Sequence, residues 1–170
     1  MFMNTKNDSV NKGVRIFFHV LVVFLAILIF YMSSRPDYST KEDSHWISIA
    51  ICEHFIEGYD QMPPATKAVY LEPVDHIVRK TAHFLEYALL AFLVCGCFKK
   101  GDWRHMGAYL LPWGIATAYA ASDELHQRFV PGRNGCVSDV CLDSFGAISG
   151  VLVFAMCVVI LGRLLKKKVK

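Results

Sequence analysis

Two stretches of this chain carry almost nothing that water would hold. Residues 16–32, IFFHVLVVFLAILIFYM, are apolar apart from His19, and residues 145–165, FGAISGVLVFAMCVVILGRLL, precede a basic end, KKKVK. Each approaches or reaches the roughly 20 residues that cross the hydrocarbon of a bilayer. Two more apolar stretches lie between them: PVDHIVRKTAHFLEYALLAFLVCGCF over residues 73–98 and MGAYLLPWGIATAYAA over residues 106–121. Apolar residues in blocks, rather than alternating with polar ones, predict helices that present apolar surface on all sides. The expectation is an all-α integral membrane bundle of four transmembrane helices, over about residues 16–32, 74–98, 106–127 and 139–165 of a single 1–170 domain. Pro73 suits the first turn of the second helix, and Pro112 with Gly114 would kink the third.

Composition agrees with that frame. Hydrophobic residues make up 54% of the 170, charged residues only 19%, and mean hydropathy is +0.35. A formal charge of +3 is too small to attract a polyanion, and no RNA- or DNA-binding motif is present, so nucleic acid is not an expected partner. A cleaved signal peptide is the rival for residues 16–32. Its apolar region would be shorter, and no A-x-A site precedes Ser33.

The basic residues set orientation. A four-helix topology places Lys6, Lys12, Arg15, Lys99, Lys100, Arg104, Arg163, Lys166, Lys167, Lys168 and Lys170 on one side. The other side receives Arg35, Lys41, Lys67, Arg79, Lys80, Arg128 and Arg133, spread through longer loops rich in acid. The positive-inside rule then puts both termini in the cytoplasm. The first outer loop carries HWISIAICEHFIEGYD, residues 45–60, too short to span and expected as an interfacial or capping helix. Of the cysteines, Cys95, Cys97 and Cys157 fall in apolar runs, where small buried thiols are ordinary. Cys136 and Cys141 are close enough in sequence to pair on an oxidising face, but they supply only two of the four ligands of a structural zinc site.

Polar residues concentrate at the outer helix ends. Projected at about 100° per residue, His76, Arg79, Lys80, His83, Glu86 and Tyr87 share an arc of about 120°. Ionisable groups at membrane depth are costly, so this stripe should face protein or a water-filled cavity. If the third helix continues to Gln127, Tyr119, Asp123, His126 and Gln127 fall within about 100° of each other, with Glu124 pointing elsewhere. Asp139 and Asp143 lie one turn apart on the fourth helix, and Gly146 and Gly150 continue their face with a spacing that permits close helix approach. The turn VPGRNG between them carries Arg133. One shared outer site is therefore expected. Its alternative is a salt-bridge network that only neutralises itself.

The segments RKTAHFLEYALLAFL and SDELHQRFVPGRNGCVSDVCLDSFGAISG closely resemble the VanZ-like family of small bacterial membrane proteins. The matching parts are R-K-x-x-H-F-x-E-Y, D-E-x-H-Q-x-F-V-P-G-R and D-x-x-x-D-x-x-G-x-x-x-G, while residues 33–72 contribute little. The resemblance implies a multi-pass protein of the bacterial plasma membrane whose namesake is associated with resistance to teicoplanin, a lipid-tailed glycopeptide antibiotic. It marks Lys80, His83, Glu86, Asp123, Glu124, His126, Gln127, Arg133, Asp139 and Asp143 as the functional cluster. It assigns no biochemical activity.

Three functions fit these residues. Cations with fixed donors suit phosphate, so the outer site would bind a lipid head group, a cell-wall precursor or the glycopeptide itself, contributing to resistance. Alternatively, acids and imidazoles side by side suit a membrane-surface hydrolase or transferase. His83, Glu86, Asp123 and His126 are then the candidate ligands for a divalent metal. H-E-x-x-H, G-x-S-x-G and other nucleophile motifs are all missing. The third is a structural accessory to envelope enzymes. Nothing in the sequence fixes an oligomeric state.

Overall fold

The computed structural model describes residues 5–98 and 105–168. Among these the chain is all-helical and contains no strand: α1 (Thr5–Ser33), α2 (Asp37–Phe55), a 3₁₀ turn (Tyr59–Gln61), α3 (Pro64–Gly96), α4 (Gly107–Gln127) and α5 (Val137–Lys168). The basic turn of residues 99–104 and Lys170, and the side chains of Lys6, Lys41 and of residues 166–168, lie outside the described residues. They carry much of the charge behind the orientation argument.

α3 is the central element and packs against all four other helices, most extensively against α5. The core is built from Leu25 and Ile29 of α1, Leu90, Ala91 and Val94 of α3, Ala116 and Ala120 of α4, and Ala147, Val151 and Phe154 of α5. Small residues at these contacts let the helix axes approach. At Gly146 and Gly150 the approach is closest. A Cβ on Gly146 would overlap the backbone carbonyl of Phe84, and one on Gly150 that of Ala88. The face that the spacing suggested for close contact is the α3–α5 seam.

The outer surface is strongly apolar. Phe24 on α1 is 64% exposed and Leu152 on α5 63%, with Val20, Ile27, Val153 and Leu161 beside them. Two helical segments, Lys12–Ser33 and Val137–Leu164, are long and apolar enough to cross a membrane. α3 and α4 carry Arg79, Lys80 and Glu86, and Asp123 and Glu124, within their length. Their place as spans thus rests on how those charges are sheltered.

Two sequence expectations need correction. α3 begins at Pro64, not near Pro73, and Pro73 sits inside the helix. Pro73 deprives the preceding turn of one N–H donor, but it lies where α3 is still surface-exposed, next to Val69 at 69%. Water can satisfy the orphaned carbonyl there. The second correction concerns α2, which is a full 19 residues. It packs along α3, buries Ser48 and Cys52 and turns Trp46 and Phe55 outward. His45 Nδ1 lies 3.6 Å from Asp75 Oδ2 on α3. Beyond it, buried Tyr59 lies under the Lys67 ammonium, 5.3 Å from the ring centroid, and burial pushes its phenol pKa up.

Candidate functional site

The polar stripe of α3 opens onto a cavity of about 460 Å³. α3 supplies Arg79, Lys80, His83 and Glu86; α4 supplies Glu124 and Gln127; α5 supplies Asp139 and Asp143. Arg133 of the α4–α5 loop and Ser33 at the end of α1 complete the wall, and Ser44 and Ile47 of α2 reach over it.

The mouth is held by ion pairing. Lys80 Nζ donates to Asp139 Oδ1 at 2.7 Å, tying α3 to the first turn of α5. Both side chains keep contact with solvent, 36% and 29% exposed. An acidic residue in a first turn also meets the positive end of the helix dipole, so Asp139 has two reasons to be where it is.

Arg133 does structural work as well as lining the cavity. Its Nε donates to the Arg35 carbonyl at 3.0 Å and its Nη2 to the Met32 carbonyl at 3.0 Å. Met32 lies in the last turn of α1 and Arg35 just beyond it, where intrahelical partners have run out and a cation is favoured. The loop places Arg133 there by turning at Gly132, whose φ of 79° is in the left-handed region that suits glycine. Glu124 Oε2 accepts the Cys136 N–H at 2.9 Å and so fixes the far end of the same loop.

The base of the cavity is different. Asp143 is 1% exposed and neither of its carboxylate oxygens has a hydrogen-bond partner. His83 Nδ1 is likewise buried without one. Glu86 faces the same space, within electrostatic reach of Asp123 and Arg133. The Tyr87 hydroxyl, wholly buried, lies beside Asp123 outside ordinary hydrogen-bond geometry. Buried polar groups are normally paired, and each exception asks for a reason.

The functional cluster expected from sequence does not all converge on the cavity. Lys80, His83, Glu86, Gln127, Arg133, Asp139 and Asp143 line it. Glu124 lines it too, although helical projection pointed it elsewhere. Asp123 and His126 sit apart. Asp123 Oδ2 accepts from Ser33 Oγ at 2.8 Å and Gln127 Nε2 at 2.9 Å. His126 Nε2 is 3.1 Å from Ser34 Oγ, and its ring lies against Phe30. With Tyr119, whose hydroxyl donates to the Ala26 carbonyl at 2.7 Å, they form the seam between α4 and α1. The shared face of α4 is real, but it meets a helix, and the adjoining face with Glu124 and Gln127 meets the cavity.

This split bears on metal binding. His83 and Glu86 face the cavity while His126 faces α1, so the four candidate ligands do not meet. Among the described residues no group of three or more His, Cys, Asp or Glu side chains is arranged to hold a metal ion. Sequence reasoning missed Ser33, Ser44 and Ile47, which come from the region with little recognisable signal. Only the serine pair closing the first apolar run, Ser33-Ser34, hinted at a polar contact there.

A family model described as VanZ/LLP1 matches residues 18–160 of the chain. Comparisons with curated proteins and with solved structures give no match.

Proposed function

The chain belongs to the VanZ/LLP1 family, and from that premise we propose a multi-pass envelope protein that binds the polar head of an envelope amphiphile in an outward-facing cavity. In this reading α1, α3, α4 and α5 span the plasma membrane with both termini in the cytoplasm, and α2 lies at the outer interface over the cavity. The occupant is a lipid head group or a cell-wall precursor. Its capture contributes to resistance against a lipid-tailed glycopeptide of the teicoplanin kind.

One observation carries the reading: a 460 Å³ cavity, walled by helices with apolar outer surfaces, is lined by residues whose buried ionisable groups the fold does not pair, Asp143 and His83 among them. A self-neutralising network would leave no such remainder. Burying an unpartnered carboxylate costs stability, which a purely structural accessory has no reason to bear. The test is Glu86→Ala and Lys80→Ala, scored in the same cells for teicoplanin susceptibility and membrane abundance. Resistance should fall at normal abundance. Unchanged resistance in both variants would sink the proposal.

An enzymatic reading has one observation in its favour: His83 shares the cavity with Glu86, Glu124 and Asp143, which allows general acid–base chemistry. It predicts that His83→Gln abolishes turnover of a labelled envelope lipid or precursor by purified protein while ligand retention persists. Retention without turnover in the unaltered protein favours binding alone.

A further inference from the structure

The cavity is chemically graded from mouth to base. At the mouth are cations, Arg79 and Lys80, the latter pairing with Asp139. A lysine ammonium has three donors, and Asp139 engages one of them. At the base are acceptors: Asp143 with two unpartnered oxygens at 1% exposure, flanked by Glu86 and Glu124. Asp143 is electrostatically surrounded by carboxylates, with Glu124, Asp123, Asp139 and Glu86 all acting on it. No lysine or arginine of the described residues hydrogen-bonds it. Asp143 therefore has no donor from the fold, and a ligand can supply one.

We infer that the occupant is a zwitterionic head group, with a phosphate at the mouth beside Lys80 and a primary ammonium at the base on Asp143 and Glu86. This rests on the head-group reading proposed above and narrows its chemistry. A phosphate alone would be held at the mouth but would leave Asp143 and Glu86 without a cation. An ammonium brings N–H donors and positive charge to the acceptors that lack both. The spacing agrees. Asp139, which holds Lys80, and Asp143 are one turn apart, about 6 Å of helical rise, comparable to a phosphate and an amine joined through two carbons. Two sources present that chemistry: phosphatidylethanolamine in the outer leaflet, and free O-phosphoethanolamine.

The experiment uses full-length protein in detergent and short-chain phosphatidylethanolamine or phosphatidylglycerol with identical acyl chains. Binding of phosphatidylethanolamine is expected to be about tenfold tighter, the effect of one charge-assisted contact. Asp143→Asn should erase that preference with an undiminished thermal midpoint, since it keeps the side chain's size and breaks no hydrogen bond. Glu86→Gln is the second variant, expected to weaken the preference in the same way. Equal or tighter binding of phosphatidylglycerol by the unaltered protein overturns the ammonium inference and leaves the head-group reading standing. Retention of neither lipid overturns both. O-phosphoethanolamine displacing the lipid at equal concentration supports the chemistry and assigns the free source; failure to displace it assigns the lipid.

Discussion

Lys80 and Asp139 are 59 positions apart in the chain and 2.7 Å apart in space, the one ion pair that joins α3 to α5 at the cavity mouth among the described residues. Both are partly solvated, so the pair is worth about 0.5–1 kcal/mol rather than the larger figure of a buried bridge. Lys80→Ala and Asp139→Ala should each lower stability by about that much, and the double variant by less than their sum. Exchanging the charges, Lys80→Asp with Asp139→Lys, should recover only part of the loss, because a lysine in the first turn of α5 opposes the helix dipole. Thermal melting of the four proteins checks this.

The α3–α5 seam gives a larger effect. Gly150→Ala places a methyl group into the Ala88 backbone, which cannot step aside as a side chain could. A loss of about 3 kcal/mol is expected, at the upper end for overpacking. Gly114→Ala is the control: a Cβ there meets nothing within 4 Å, and the helix should gain about 0.5–1 kcal/mol. Opposite shifts in melting temperature are the predicted signature.

Arg133→Lys tests the cap on α1. Lysine keeps the charge but cannot fork between the Met32 and Arg35 carbonyls. The loss should be about 1.5–3 kcal/mol, nearly that of Arg133→Ala. It would be seen as reduced membrane abundance and a lower melting temperature. Behaviour like the unaltered protein would mean that charge alone suffices.

How much of this was legible in the sequence follows from what each signal measures. The two apolar runs and the Gly146–Gly150 spacing describe a helix's own surface, and both appear in the fold as read. The arc from Arg79 to Glu86 also faces one cavity, as its cost at depth requires. Helical projection cannot say which neighbour a face will meet. So projection groups Asp123 and His126 with the cavity although they hydrogen-bond across the α1 seam, and it points Glu124 away although the resemblance marks it and it lines the wall. Pro73 is a similar case: its preference for a first turn is local, whereas α3 already runs from Pro64, with Lys67 set over the Tyr59 ring. The contributions of Ser44 and Ile47 are purely tertiary and leave no local pattern.

Cys136 offers a test of orientation. Its thiol is exposed, and a hydrogen bond from Ser138 Oγ at 3.1 Å holds its pKa below the ordinary thiol value. More thiolate at neutral pH means faster alkylation. In a variant keeping only this cysteine, a membrane-impermeant maleimide should label intact cells within minutes. A variant keeping only buried Cys95 should label only after denaturation. Protection of Cys136 until the cells are opened would reverse the proposed topology.

The length of α3 has an electrical consequence. Its 33 residues extend about 50 Å, well beyond a hydrocarbon core of about 30 Å. In the proposed arrangement, with Gly96 at the inner boundary, Glu86 lies about 15 Å in, near the middle of the membrane. In the proposed orientation, a positive group drawn from outside down to Glu86 crosses part of the transmembrane voltage. The cell's inside-negative potential would pull it inward, by about 1 kcal/mol per 100 mV for half the field. Affinity for the occupant would then follow the energised state of the membrane, and collapsing the potential would weaken it about fivefold per 100 mV.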